Sequence, residues 1–428
     1  MLVLSMVRRA AFPLVAMLVG CGGSAPKPES TGADDSAPAA GDAPRAAAPK
    51  VKRAAAEAFA EASKEYAKGN ARDWGRIESA LKDAVDEDSK FAEAYFNLGV
   101  AAEMQGKKDE ARDWYQKARE KNPAFGDGLV NLAALMQEDG RKGEAEGNYQ
   151  QAIQAEPLNG FAHLNLAMSA KARKDFSDAV KRVRTALKED SQNIQAYVIL
   201  AWTYYDMGKY ELAKLVCSQA LNVKGDEPAV HNIQGLVYLK MQDVTRALAA
   251  FQKAVELDAN YVPALFNIGA ITFSYKDYEA SYRAFDQVVK LEPKNDEALL
   301  SKAVAARGMG NFEEAERGYK AVLVLNERSS AAHFNLGVLY QEFMQKLDLA
   351  QKSYENVLRV EQADQALRKD ATERIKQLQI QIQNQKEAEV MMRQQAEEDK
   401  KRAAEAPPAP PEAPPSSPES APASAPTP

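Results

Sequence analysis

Histidine and cysteine are nearly missing from this chain of 428 residues, which has three of the first and two of the second. Two cysteines cannot build a disulfide framework, and three histidines supply few ligands for a metal. Positive charge is not in excess either. Interspersed along the chain, 55 Lys and Arg against 61 Asp and Glu leave a net charge of −6 and no basic face to neutralise phosphates, which excludes nucleic acid as a partner. Proline is scarce where it matters most: six of the 21 lie before residue 50 and ten after residue 406, leaving five for everything between. A middle so poor in helix breakers is expected to be mostly helical, with proline-rich flanks. With 45% hydrophobic, 27% charged and 8% aromatic residues, the composition excludes both wholesale disorder and a polytopic membrane protein.

The N-terminus reads as an address. Arg8 and Arg9 precede an apolar run from Ala10 to Gly20 that is too short to span roughly 30 Å of hydrocarbon and has the form of a signal-peptide core. It ends in Leu18-Val19-Gly20-Cys21, which resembles a bacterial lipobox, and the resemblance implies that the Cys21 thiol carries a diacylglyceryl group. A plain secretory signal with a chance cysteine is the alternative. Lacking an Asp after Cys21, the sequence is similar to lipoproteins sorted to the outer membrane, and a multiply acylated cysteine anchors stably. Loss of residues 1–20 removes two arginines and leaves a net charge of −8. Residues 21–50 are Ala, Pro, Gly and Ser with almost no large apolar side chain, a disordered tether. Residues 406–428 are about half proline, an extended tail.

Self-similarity decides the fold. Residues 92–125 read AEAYFNLGVAAEMQGKKDEARDWYQKAREKNPAF, and the same register recurs every 34 residues from 126, 160, 194, 228, 262, 296 and 330. Position 8 is small throughout (Gly99, Ala133, Ala167, Ala201, Gly235, Gly269, Ala303, Gly337), as is position 20 from Ala111 to Ala315. Position 24 is mostly aromatic (Tyr115, Tyr149, Phe251, Phe285, Tyr319), with Val183 and Cys217 as exceptions. Pro123, Pro157 and Pro293 fall at position 32, where proline ends a helix. This pattern resembles the tetratricopeptide repeat, which implies an all-α solenoid, a right-handed superhelix of helix-turn-helix units. About nine units over 51–361 are expected. The unit at 58–91 has a poor first helix, and the unit from 330 carries one extra residue near 345–349. Beyond it, Leu367, Ala371, Ile375, Leu378 and Ile382 make an apolar stripe within 362–405, either a capping helix or the start of a short coiled coil.

The register also tests the reactive residues. His163, His231 and His333 all occupy position 4 and are 68 and 102 residues apart, so they cannot converge on one metal. Cys217 stands in an aromatic column and reads as a small buried hydrophobe. There is no Gly-rich phosphate loop, no HExxH and no Gly-x-Ser-x-Gly, and no segment is left to house a catalytic domain. Neither enzyme activity, a cofactor, a metal nor a small-molecule substrate is expected.

What remains is surface. The resemblance implies a concave groove lined by positions 2, 5, 6, 9, 12 and 13 of each first helix. Position 6 carries Asn97, Asn131, Asn165, Asn267 and Asn335. Carboxamides both donate and accept, and such a row resembles the asparagine ladder in the groove of O-linked N-acetylglucosamine transferase. Asn is also simply common there, and both readings stand. Phe96, Leu164, Phe266 and Phe334 at position 5, with Met168, Trp202, Tyr205 and Leu236 at positions 9 and 12, make the groove apolar unless adjacent helices cover them. Lys is absent from position 5, which disfavours the carboxylate clamp of chaperone cofactors. An exposed apolar patch marks a protein interaction site.

Lipobox, tether, uninterrupted repeats and Ala/Pro-rich tail together resemble the tetratricopeptide lipoprotein of the myxobacterial adventurous gliding motility machinery. That resemblance implies a scaffold at the periplasmic face of the outer membrane, partnered by envelope proteins of a multiprotein complex. Two alternatives stay open: a pilotin-like lipoprotein for a secretin or pilus, and a non-catalytic regulator of a cell-wall enzyme.

Overall fold

The computed structural model describes residues 51–405. The signal segment 1–20, Cys21, the tether to residue 50 and the tail 406–428 lie outside the described residues. Every described element is helical, and the chain divides into two compact units, at Leu291 and Glu292. The first unit holds α1 (Arg53–Tyr66), α2 (Trp74–Glu87), α3 (Ala92–Met104), α4 (Lys108–Lys121), α5 (Gly126–Glu138), α6 (Lys142–Ala155) and α7 (Gly160–Ala172). It continues with α8 (Phe176–Glu189), α9 (Ile194–Asp206), α10 (Tyr210–Val223), α11 (Pro228–Lys240), α12 (Val244–Leu257), α13 (Val262–Ser274) and α14 (Tyr278–Leu291). The second holds α15 (Asp296–Gly308), α16 (Phe312–Leu325), α17 (Ser330–Val338), α18 (Leu347–Arg359) and α19 (Gln365–Glu405).

From α3 on, each first helix (A) starts at the register position read from the sequence, and each second helix (B) follows after a three-residue turn. The reason is steric. Position 8 of helix A lies directly on the position 24 ring of helix B, so a Cβ at Gly99 would meet the Tyr115 ring at 2.5 Å, and one at Gly235 would meet Phe251 at 2.5 Å. Tyr115, Tyr149, Phe251 and Tyr319 are 0% exposed. Burying such a ring contributes roughly 1.5–3 kcal/mol. Most B helices end at an Asn, Asp or Glu, Lys224 and Val360 being the exceptions, and Asn159, Asn193 and Asn295 cap the following helix A by accepting from Ala162, Ala196 and Ala298 N–H at 2.9, 3.0 and 2.9 Å.

The turn from A to B uses one residue in the left-handed region: Gly106, Gly140, Lys174, Gly208, Gln242, Lys276 and Gly310, spaced by 34. In the last repeat that residue is Gln345, one later than the register. The extra residue therefore lies before the turn and not at 345–349: α17 runs into a π turn at Leu339–Phe343, which absorbs it inside helix A. The first unit departs too. Its helix A, α1, begins at Arg53 instead of 58, and a short 3₁₀ turn at Gly69–Ala71 fills the gap before α2, which is back in register. Buried Glu65 braces that longer turn, accepting from Asp73 N–H at 3.1 Å and pairing with Lys68.

Helix α19 packs on α18 through Ala371 and Leu378, both 0% exposed. Arg374 fastens it, donating to Gln341 and Glu342 at 3.1 and 2.8 Å, with its guanidinium 5.7 Å from the Phe334 ring centre. From residue 383 to 402 every side chain is exposed, as the run of charges and amides requires. No described helix is long and apolar enough to cross a membrane.

Candidate functional site

Within the first unit, α9 touches the helices A on either side of it, α7 and α11, and no two helices B make a comparable contact. The helix A row is thus the inner row of that stack. Positions 2, 6, 9 and 12 recur at helical spacing along one face of it.

The predicted groove residues separate into three groups. Phe96, Leu164 and Leu236 are 7, 2 and 2% exposed, so the expectation that they line an open groove is corrected. Phe96 fits its ring between Tyr115 and Phe125, at 5.6 and 5.2 Å. Leu164 joins Ala196 and Val198 of the next repeat, and Leu236 joins Phe251 and Ala264. Leu164 and Leu236 are inside because the neighbouring helix A closes over them, and Phe96 because its own helix B and the loop residue Phe125 do.

A second group is half-buried. Met168 packs on the middle core, and Trp202 and Tyr205 pack on it and on the following cluster as well, bridging two repeats. Trp202 meets Tyr205 edge-on at 5.6 Å, and Tyr205 meets Tyr210 at 5.7 Å. The Lys171 ammonium lies 5.7 Å from the Trp202 ring centre and is held by Asp206 at 2.8 Å. Burial, then the proximity of Tyr210 and Asp206, pushes the Tyr205 phenol up to about 12, so it stays a neutral hydrogen-bonding group. Phe266 and Phe334 are half-buried too, each on its own position 24 ring, Phe285 and Tyr354, at 5.5 Å.

The asparagines form the third group, and they are not a uniform ladder. Asn97 and Asn165 donate to the carbonyls four residues back, Glu93 and Phe161, at 2.8 and 2.9 Å. Asn131 donates to the Tyr115 hydroxyl at 3.3 Å, which in turn donates to Glu103 at 2.7 Å. Asn267 is buried and donates to equally buried Asn232 at 3.0 Å. In the second unit Asn335 is buried, donates to Ala331 C=O at 2.8 Å and accepts from Arg307 at 3.1 Å. Asn232 was missed in the sequence, although an Asn in a column of Phe, Val and Leu at position 5 signals a buried polar pair.

The reactive residues are used structurally. Nε2 of His163 bonds Pro157 C=O at 2.9 Å and Nε2 of His333 bonds Glu327 C=O at 3.0 Å, the same brace between loop and helix in two repeats. Burial pushes the Cys217 thiol up to about 12, which removes the thiolate that a nucleophile needs. Among the described residues no group of three His, Cys, Asp or Glu side chains is placed to hold a metal.

Comparisons with known proteins agree with this architecture. Tetratricopeptide repeat family models match residues 66–124, 170–237, 228–261 and 300–342. Among curated proteins, Tetratricopeptide repeat protein 8 of Caenorhabditis elegans is 27% identical over 149 residues, covering 34% of this chain and 29% of that protein. Anaphase-promoting complex subunit 3 of Schizosaccharomyces pombe is 25% identical over 181 residues, 42% of this chain and 27% of that one. The chain thus spans under a third of the length of these two curated relatives. Of solved structures, MamA is similar with 21% identity over 40% of this chain and 93% of its own, at a TM-score of 0.34. A human IFIT1 dimer is similar with 19% identity over 76% and 81%, at 0.49. Its 34-residue register and its helix pairing are those of the tetratricopeptide-repeat fold, and the models of that repeat match it over these four stretches.

Proposed function

We propose that the chain is a non-catalytic scaffold that captures a segment of a partner protein on the helix A face of its first unit, centred on Trp202 and Tyr205. The observation that carries this reading is the aromatic pair itself. Two large side chains bridge adjacent repeats yet keep part of their surface in water, the form of an anchor site at a protein interface. The buried thiol and the bracing histidines are taken up by the packing of the repeats. The similarity to a subunit of the anaphase-promoting complex fits a part in an assembly.

The sequence from Arg8 to Cys21 supports the finer proposal of a lipid-anchored protein at the outer membrane, facing the periplasm, that assembles or stabilises an envelope machine. The overall arrangement of tether, repeats and tail favours a gliding motility complex. The test is capture from detergent-solubilised membranes. Trp202→Ala with Tyr205→Ala is expected to lose the partner while helical circular dichroism holds, and Cys21→Ala to move the protein from the membrane to the soluble fraction. Retention of the partner by the double variant contradicts the groove. Unchanged fractionation of Cys21→Ala contradicts the anchor.

A further inference from the structure

The chemistry of the partner segment can be read from the groups beside the aromatic pair, and this step rests on the groove reading above. In the repeats that start at 92, 126 and 160, the amide nitrogens of Asn97, Asn131 and Asn165 are turned into the protein, toward Glu93 C=O, the Tyr115 hydroxyl and Phe161 C=O. Each carboxamide is left with its oxygen and a single N–H, so the row offers more acceptor than donor capacity. On the same face, at position 2, stand the carboxylates of Glu93 and Asp127, and no described Lys, Arg or His lies within ion-pairing distance of either. Lys121, at the end of helix B in the repeat that starts at 92, stands over the Tyr95 ring, 5.9 Å from its centre. Loss of water, then the charge of Glu156, holds the Asp127 carboxyl above its ordinary range, as expected for an anion with no counter-charge. Lys171, the cation nearest the aromatic pair, is tied to Asp206.

We infer that the helix A face from residue 92 to 206 takes an extended cationic segment, its lysines or arginines over Glu93 and Asp127 and an aromatic or long aliphatic residue against Trp202 and Tyr205. Both halves of the surface then find complements, donors and positive charge for the acceptor row and an apolar body for the rings. Adjacent packed helices are about 8–10 Å apart. Two to three repeats separate the carboxylates from the rings, so at about 3.3 Å per extended residue the charges and the anchor lie roughly six to nine residues apart in the partner.

Selection of phage-displayed random dodecapeptides on the full chain tests this. The enriched pool is expected to carry at least about threefold more Lys and Arg than Asp and Glu, with an aromatic or aliphatic residue six to nine positions from the charge. Glu93→Lys with Asp127→Lys should reverse that bias, and the milder Glu93→Gln with Asp127→Asn should abolish it, so a misfolded reversal variant still leaves a reading. An acidic or uncharged pool, or a bias unchanged in both charge variants, overturns the cationic segment while leaving the groove intact, provided that Trp202→Ala still removes the binders. Peptides that survive Trp202→Ala in a folded protein, or no enrichment at all, overturn the groove and the cationic segment together.

Discussion

The turns between helices A and B store a backbone cost that can be released. At C′ of helix A the chain enters the left-handed region and closes a Schellman motif, in which Asp175 N–H bonds Ala170 C=O at 2.9 Å and Lys174 N–H bonds Lys171 C=O at 2.9 Å. The same pair of bonds recurs around Gln242 and Lys276. Four repeats solve this geometry with glycine; Lys174, Gln242 and Lys276 do not, at φ 65, 63 and 64°. An L side chain in that region costs about 1–2 kcal/mol, and glycine returns roughly half of the gain through its freer unfolded chain. Each Lys174→Gly, Gln242→Gly or Lys276→Gly change should therefore stabilise by about 0.5–1 kcal/mol. The sites are in different repeats and should add, so the triple variant gains about 1.5–3 kcal/mol and melts about 3–6 °C higher. The reverse experiment isolates the backbone. At Gly140 and Gly208 an added Cβ meets nothing within 4 Å, so alanine there costs about 1 kcal/mol from conformation alone. Thermal and urea unfolding followed by circular dichroism measures both sets. A triple variant that melts no higher, with Gly140→Ala neutral, refutes the reasoning.

Three further outcomes follow from the packing. Gly235→Ala drives a Cβ into the Phe251 ring and should destabilise by about 1–3 kcal/mol in urea melts, despite alanine's better helix propensity. Asn267→Ala strands the buried Asn232 oxygen and should cost about 1–3 kcal/mol, whereas replacing both with leucine should recover part of the loss. Cys217, 0% exposed and protonated at neutral pH, should resist a thiol-reactive dye at pH 8 until urea unfolds the chain; rapid native labelling contradicts its placement.

The repeat register was legible because it depends on contacts within one repeat, small position 8 on bulky position 24, which leave a fixed spacing in the chain. Which face stays open was less so. Periodicity puts Phe96, Leu164 and Leu236 on the same stripe as Trp202, and only packing against neighbouring elements decides that the first three are covered. The carboxamide row was legible in position but not in polarity, since hydrogen bonds to Glu93 and Phe161 carbonyls commit the donors. An insertion shifts the register wherever it falls, so counting residues could not say that Leu339–Phe343 absorbs it as a π turn. The early start of α1 follows from the turn at Gly69–Ala71 and buried Glu65, a local arrangement that has no counterpart in the other repeats.

Site-specific photocrosslinking in native membranes tests the central claim most directly, with the reactive residue at 202 on helix A or, as comparison, at Leu215, 55% exposed on helix B. The account predicts one dominant partner crosslinked from 202 and absent from 215, mapping to a segment with basic residues six to nine positions from the anchor. Partner crosslinks from 215 alone, with 202 reacting only within its own chain, contradict it.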